Sequence, residues 1–304
     1  MMIEIDKLQK AYGSKIVLNN LCLSIPEGSV YGLVGKNGAG KTTLLNIIAG
    51  ISEATAGECT VFGEKVYKGQ YSSGLLSYLP DLPNFYDYLT VREYISFIMS
   101  GWGRKGTQPL KEVENKFAEL GLDGDAKIKT LSRGNKQKLG ILVAIISNPK
   151  FLILDEPTSA LDPVGRREVM ALIRELRDKG MTILFSTHIL ADLELVCDKI
   201  GFLHKSAIRR EVDLNDSTDG DEAVEITFVN TDAMIDNDAL IRLLPGYKIV
   251  QTPDKNKIVF KPYSGKVNQK DVFSALSYMD TAISSVKRTS QKDLEAIMME
   301  VLSE

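Results

Sequence analysis

Apolar residues alternate with polar ones in two stretches near the start of the chain, Ile3, Ile5 and Leu8, then Leu21, Leu23 and Ile25. A period of two puts one face in a core and the other in water, so both read as antiparallel strands. Val30 to Val34 differs. It is a short continuous apolar run that passes through glycine into the helical pattern Thr42 to Ala49, closed by Gly50 as C-terminal cap. Phe151 to Leu154 and Thr182 to Phe185 are likewise unbroken apolar runs, of the kind a parallel sheet buries on both faces, with the helical segment Gly165 to Asp178 between them. The core is predicted to be α/β.

Between these strands a mostly helical insertion is predicted over about 83–147. Thr90 and Glu93 form a capping box, and Val91, Tyr94, Ile95, Ile98 and Met99 share one helical face. The polar run 215–221 has the composition of a linker. It divides the chain into residues 1–214 and an accessory domain, residues 222–304. That tail reads strand (Ala223 to Val229), helix (Asp232 to Leu244), strand (Tyr247 to Gln251), strand (Lys257 to Lys261), helix (Asn268 to Met279), strand (Ala282 to Lys287) and helix (Gln291 to Leu302). A turn at 254–256 joins its middle strands, and the order βαββαβ matches a split-βαβ sandwich.

Composition narrows the function. In 304 residues, 37 Lys+Arg against 40 Asp+Glu leave a formal charge of −3, with no basic excess to attract nucleic acid. Cys22, Cys59 and Cys197 are dispersed and odd in number, which suggests neither a disulfide framework nor a zinc site and fits a reducing compartment. Met1 to Lys10 carries charges at alternate steps, unlike a cleaved signal. The most apolar stretch, Leu139 to Ile146, is far short of the roughly 20 residues a spanning helix needs.

The chemistry is concentrated in two places. Gly35, Lys36, Asn37, Gly38, Ala39, Gly40, Lys41 and Thr42 satisfy the phosphate-loop pattern between a strand and a helix. Gly35, Gly38 and Gly40 let the backbone curl so that N–H groups converge on phosphate oxygens at the positive end of the helix dipole. Lys41 would neutralise the β and γ phosphates, and the Thr42 hydroxyl would take one site on Mg²⁺. The strand Phe151 to Leu154 ends in Asp155 and Glu156. Ligands bind beyond the carboxyl ends of strands in open α/β sheets, so both acids reach the phosphate loop if the two strands are neighbours. Asp155 would then order the Mg²⁺ shell and Glu156 would orient or deprotonate the attacking water.

From Met1 to about Val212 the chain resembles the ATP-binding-cassette ATPases. The resemblance rests on motifs in order: the phosphate loop, Leu131 to Asn135 in place of the family signature, the Asp155 and Glu156 pair, Ser159 to Asp162 after it, and Thr187 with His188 after the next strand. It implies a P-loop NTPase core of the RecA-like type with an antiparallel β subdomain and the helical insertion, to which the sequence pattern adds the small α+β C-terminal domain. It further implies that Tyr12 stacks on adenine and that Asn37, Ala39 and Thr43 belong to the ATP-binding set. Ser132 and Gly134 would contact the γ-phosphate held by an opposite subunit, with a plain N-cap as the alternative for Ser132. His188 would hold the lytic water and Glu156, and Asp162 would link the two sites of a dimer.

Two positions depart from the family pattern. Asp81 stands where Gln is usual, leaving an acid that could still bind Mg²⁺ or water, and Arg133 and Asn135 replace commoner signature residues. Together with the extra domain they resemble the subgroup serving bacterial exporters of drugs, peptides, lipids or polysaccharide. The expected protein is an ATPase subunit at the cytoplasmic face of the membrane. It pairs with a second ATPase subunit and a membrane-spanning permease, uses ATP and Mg²⁺, and does not bind nucleic acid. The alternatives are a soluble non-transport cassette ATPase and a nucleotide-gated module with little turnover.

Overall fold

The computed structural model describes residues 1–69, 75–101, 110–215, 223–228, 242–251, 257–262, 268, 272, 274–276, 283–289 and 294–303. The chain divides into two compact units, Met1–Leu214 together with Val301–Glu304, and Asn215–Glu300.

In the larger unit, β1 (Ile3–Tyr12) and β2 (Lys15–Ile25) pair antiparallel and extend through β4 (Ala56–Val61) and β5 (Glu64–Lys65) in the order β2-β1-β4-β5. Ile3, Ile5, Leu8, Leu21, Leu23 and Ile25 are all buried, as their alternation requires. A second sheet runs β10-β9-β3-β8-β7-β6. Its strands β3 (Val30–Val34), β6 (Leu76–Leu79), β7 (Phe151–Asp155), β8 (Thr182–Thr187) and β9 (Lys199–His204) are parallel, and β10 (Ala207–Asp213) is an antiparallel edge. Every residue of β3, β7 and β8 is buried. The helix α1 (Lys41–Ile48) joins both sheets in one core. Its Leu44, Leu45, Ile47 and Ile48 pack in the cluster that holds Leu8, Leu18 and Leu21 of the first sheet and Phe151, Ile153 and Leu184 of the second.

The strands β3 and β7 are not neighbours, contrary to the condition under which the acids would reach the phosphate loop: β8 lies between them, with Val34 beside Thr187 and Asp155 beside Ser186. The long apolar run of β8 belongs in the most buried position of the sheet. Its last residues are small hydroxyl side chains, so groups from the two flanking strands can meet above its end.

The helical insertion contains α2 (Val91–Gly101), α3 (Leu110–Glu119), a 3₁₀ turn at Ile128–Thr130, and α4 (Arg133–Ile146). The capping box at the start of α2 is complete: Thr90 N donates to Glu93 Oε2 at 2.8 Å and Glu93 N to Thr90 Oγ1 at 3.2 Å. Val91, Tyr94 and Ile95 are buried while Ile98 and Met99 are half-buried. The apolar stretch Leu139 to Ile146 lies in α4 and is buried apart from half-buried Val143. The remaining helices are α5 (Pro163–Asp178) and α6 (Leu190–Val196). Among the described residues, no helix is long and apolar enough to cross a membrane.

The second unit is built on an antiparallel sheet of β11 (Ala223–Phe228), β12 (Tyr247–Gln251), β13 (Lys257–Pro262) and β14 (Ile283–Thr289), in the order β12-β13-β11-β14. With β13 between β11 and β12, this is the split arrangement that the element order predicts. Val224, Ile226, Phe228, Ile258 and Phe260 form its core with Val272, Ala275 and Leu276, which are helical. The last helix is α7 (Leu294–Ser303). Most of the predicted helix over 232–244, the turn at 254–256 and the linker beyond Asn215 lie outside the described residues.

Ile153, at 0% exposure in the middle of β7, tests the core. Ile153→Ala is expected to lower the stability of the larger unit by about 2–5 kcal/mol, read as a lower urea midpoint with unchanged slope.

Candidate nucleotide site

The loop from Gly35 to Gly40 connects β3 to α1 at the carboxyl end of the parallel sheet. Gly40 is the N-cap of α1 with φ 109°, and a Cβ there would lie 2.9 Å from Leu18 Cδ2 and 3.1 Å from Val17 O. Only glycine fits both the conformation and the space, so the β1–β2 hairpin acts as a wall behind the loop. Without a capping side chain on Gly40, the first N–H groups of α1 remain available to an anion. Tyr12 stands exposed at the end of β1, with Lys10 Nζ 4.8 Å from its ring centroid. This leaves an open aromatic face on the hairpin that walls the loop.

Lys41 is buried to 6% exposure. Its Nζ donates to Gly35 O at 2.7 Å and lies 3.3 Å from Glu156 Oε1. The second oxygen of the same carboxylate, Oε2, lies 2.9 Å from His188 Nδ1. Glu156 therefore stands between the phosphate-loop cation and the imidazole. Its backbone has φ 50°, unusual for a residue with a side chain, and is held there by hydrogen bonds from its N–H to Ser186 O at 3.1 Å and Ser186 Oγ at 3.2 Å. Strained backbone of this kind aims a side chain where a regular strand would not.

Asp155 is 1% exposed and accepts a hydrogen bond from Ser186 Oγ through Oδ1. Burial pushes its carboxyl above the ordinary carboxylate range. Hydrogen bonding from the Ser186 and Thr42 hydroxyls opposes that rise, and the neighbouring Glu156 and Asp81 charges add to it. Oδ2 is enclosed without a hydrogen-bond partner at normal distance. A buried, unpaired carboxylate oxygen near a threonine hydroxyl is a suitable donor set for a hard divalent cation that takes its other ligands from phosphate and water. No cluster of three or more His, Cys, Asp or Glu able to hold a metal occurs among the described residues.

The remaining predicted residues lie at helix starts and in the loop after β6. Ser132 is the N-cap of α4 and accepts from Asn135 N at 3.1 Å. A Cβ on Gly134 would come within 3.1 Å of Ala160 O, so the start of α4 packs on the segment after Glu156. Asp162 caps α5, accepting from Gly165 N at 2.8 Å. Asp81, close enough to Asp155 to raise its pKa, has Oδ1 accepting from Ser159 Oγ at 3.3 Å and lying 3.7 Å from Arg133 Nη2. The two departures from the family pattern are thus partners of each other.

Sequence reasoning missed Ser186, which serves both acids. A hydroxyl near the end of an otherwise apolar strand was the available signal.

A strand–loop–helix phosphate cradle with an acid pair at the end of the next strand but one defines a P-loop ATPase. A family profile described as ABC transporter matches residues 18–159. Over 231 residues the chain is 36% identical to the lantibiotic transport ATP-binding protein SrtF of Streptococcus pyogenes, covering 75% of this chain and 96% of that one. It is 34% identical over 215 residues to the bacitracin transport ATP-binding protein BcrA of Bacillus licheniformis, covering 69% of each. Among solved structures it is similar to the dimeric ATP-binding cassette MJ0796 bound to ADP and Pi, with TM-score 0.64 and 25% identity over 70% of this chain and 99% of that one. The chain belongs to the family of ABC transporter ATP-binding proteins. It is the ATP-binding and ATP-hydrolysing subunit of such a transporter, a class that dimerises and works with a membrane permease.

Ser186→Ala removes the hydroxyl that lowers the Asp155 pKa and holds Glu156 N–H. If Asp155 holds Mg²⁺, the acid limb of the pH–rate profile is expected to move upward and the half-saturating Mg²⁺ concentration to rise, measured by steady-state phosphate release.

Proposed function

We propose that two copies of this chain, or one copy and a close relative, enclose two ATP molecules head to tail at the cytoplasmic face of a membrane and drive export of an antimicrobial peptide or a similar amphiphile. The reading is carried by one observation: Lys41 and His188 lie against opposite oxygens of the Glu156 carboxylate, at 3.3 and 2.9 Å. The phosphate loop binds the triphosphate through Gly35, Asn37, Gly38, Ala39, Gly40, Lys41, Thr42 and Thr43, with Tyr12 against the base. Thr42 and Asp155 would hold Mg²⁺, which when bound offsets charge on the phosphates. Glu156 takes the proton of the attacking water, and His188 keeps Glu156 and the water aligned. Ser132 and Gly134 present the amino end of α4 to the nucleotide of the opposite subunit, so that ATP closes the interface and its hydrolysis reopens it. The names of SrtF and BcrA support a peptide-antibiotic cargo.

The helical insertion passes closure to the permease. In support, Tyr86 and Phe97 are half-exposed, with ring centroids 5.6 Å apart, and the ring of exposed Tyr88 lies 5.9 Å from that of Tyr86. Aromatic residues clustered on a surface are suited to contact another protein.

Glu156→Gln is expected to bind ATP and dimerise while hydrolysing it about 10²- to 10⁴-fold more slowly; wild-type turnover in that variant would refute the assignment. Lys41→Ala should weaken ATP binding about 10- to 100-fold by equilibrium titration. Tyr86→Asp with Phe97→Asp should keep the basal ATPase of the isolated chain and lose its stimulation by permease in membranes.

A further inference from the structure

Glu156 and His188 come from different strands, and neither lies in a regular element: Glu156 follows β7, and His188 lies between β8 and α6. His188 is half-exposed, so little packing fixes its ring. The backbone N–H of Glu156 is bonded to Ser186, two residues before His188, and a second tie joins the two segments further along. Asp192 lies on α6, one turn beyond His188, and is 1% exposed. Its Oδ2 accepts from Thr158 Oγ1 at 2.7 Å, and its Oδ1 accepts from Arg166 Nη2 at 2.7 Å. Thr158, also 1% exposed, is in the segment that Glu156 begins, and Arg166 belongs to α5 beyond it. Both carboxylate oxygens are committed, one to a hydroxyl and one to a guanidinium, as a buried acid requires.

The links close into a ring. The backbone runs from Glu156 to Thr158, Thr158 is bonded to Asp192, the start of α6 and its N-cap Ile189 lead back to His188, and His188 meets Glu156. Leu193 and Val196, both buried, dock the same face of α6 in the core. Helix docking by itself therefore does not need a charge at Asp192. What the carboxylate adds is a directional tie to the segment carrying Glu156, and opening it lets the two residues of the dyad drift apart while the phosphate loop stays as it is.

We infer that Asp192, through its bonds to Thr158 and Arg166, is a positioning residue that holds His188 and Glu156 in register for hydrolysis. The inference rests on the catalytic reading of Glu156 and His188 given above. Its test is steady-state ATP hydrolysis by the full-length chain carrying Asp192→Ala, Thr158→Val or Thr158→Ser, each also combined with Glu156→Gln. Thr158→Val keeps shape and removes only the hydroxyl, so it reads the tie even where Asp192→Ala fails to fold. Thr158→Val and Asp192→Ala are expected to lower kcat about 10- to 100-fold with KM for ATP within about twofold, the scale of a small misplacement of reacting groups. Thr158→Ser, which keeps the hydroxyl, should restore turnover. The double variant Thr158→Val with Asp192→Ala should be no worse than either alone, since both open one bond. In the Glu156→Gln background neither change should lower the residual rate further. Full turnover in Thr158→Val, a rise in KM matching the fall in kcat, or an undiminished loss on top of Glu156→Gln would overturn the inference while leaving the ATPase in place. A wild-type chain without turnover would overturn the catalytic reading and this inference with it.

Discussion

Two adjacent carboxylates sit at the end of β7, a strand with no exposed residue, and ionised acids in such a place need partners for their oxygens. The larger unit is arranged around that requirement. Ser186 of the adjoining strand serves Asp155 and the Glu156 backbone, while Lys41 and His188 divide the two oxygens of Glu156. One atom, Asp155 Oδ2, is left over. The same requirement explains the positive φ of Glu156. Continued as regular strand, its side chain would follow the pleat alternation, whereas the turn of the backbone brings it between the phosphate loop and the imidazole.

The segment after Glu156 gathers ties from the surrounding elements. Thr158 is held by α6, Ser159 by the loop after β6 through Asp81, Ala160 approaches Gly134 of α4, and Asp162 caps α5. Each tie is modest, and the exposed pair of Asp81 and Arg133 contributes little to stability. Their importance is geometric. A displacement of the helical insertion, which contains α4, bears directly on the residues that follow Glu156, and a displacement of Glu156 bears on the insertion. An acid at position 81 and a base at position 133 can form this contact only together.

Much of this was legible in the sequence, for a physical reason. A phosphate loop is a run of consecutive residues whose backbone does the binding, so order and spacing expose it, and the two strand-end acids carry their context in the apolar run before them. Alternation in β1 and β2 and continuous burial in β3, β7 and β8 also follow from local pattern. What stayed hidden depends on contacts between residues far apart in the chain. Nothing local places β8 between β3 and β7. Asp192 on a helix reads as one more polar residue until its neighbours fold against it. Asp81 and Arg133 look like separate oddities because their relation exists only across the fold.

Ser132 illustrates what a capping hydroxyl permits. Helix termini accept aspartate, asparagine and serine about equally well, since each offers an oxygen to the first turn. A hydroxyl, unlike a carboxylate, keeps a hydrogen to give away after its oxygen has been used. With Asn135 N already bonded to Ser132 Oγ, the remaining hydrogen can turn outward toward an incoming oxyanion. Aspartate would preserve the helix equally well yet meet that anion with repulsion, so two residues indistinguishable to folding are opposites to recognition.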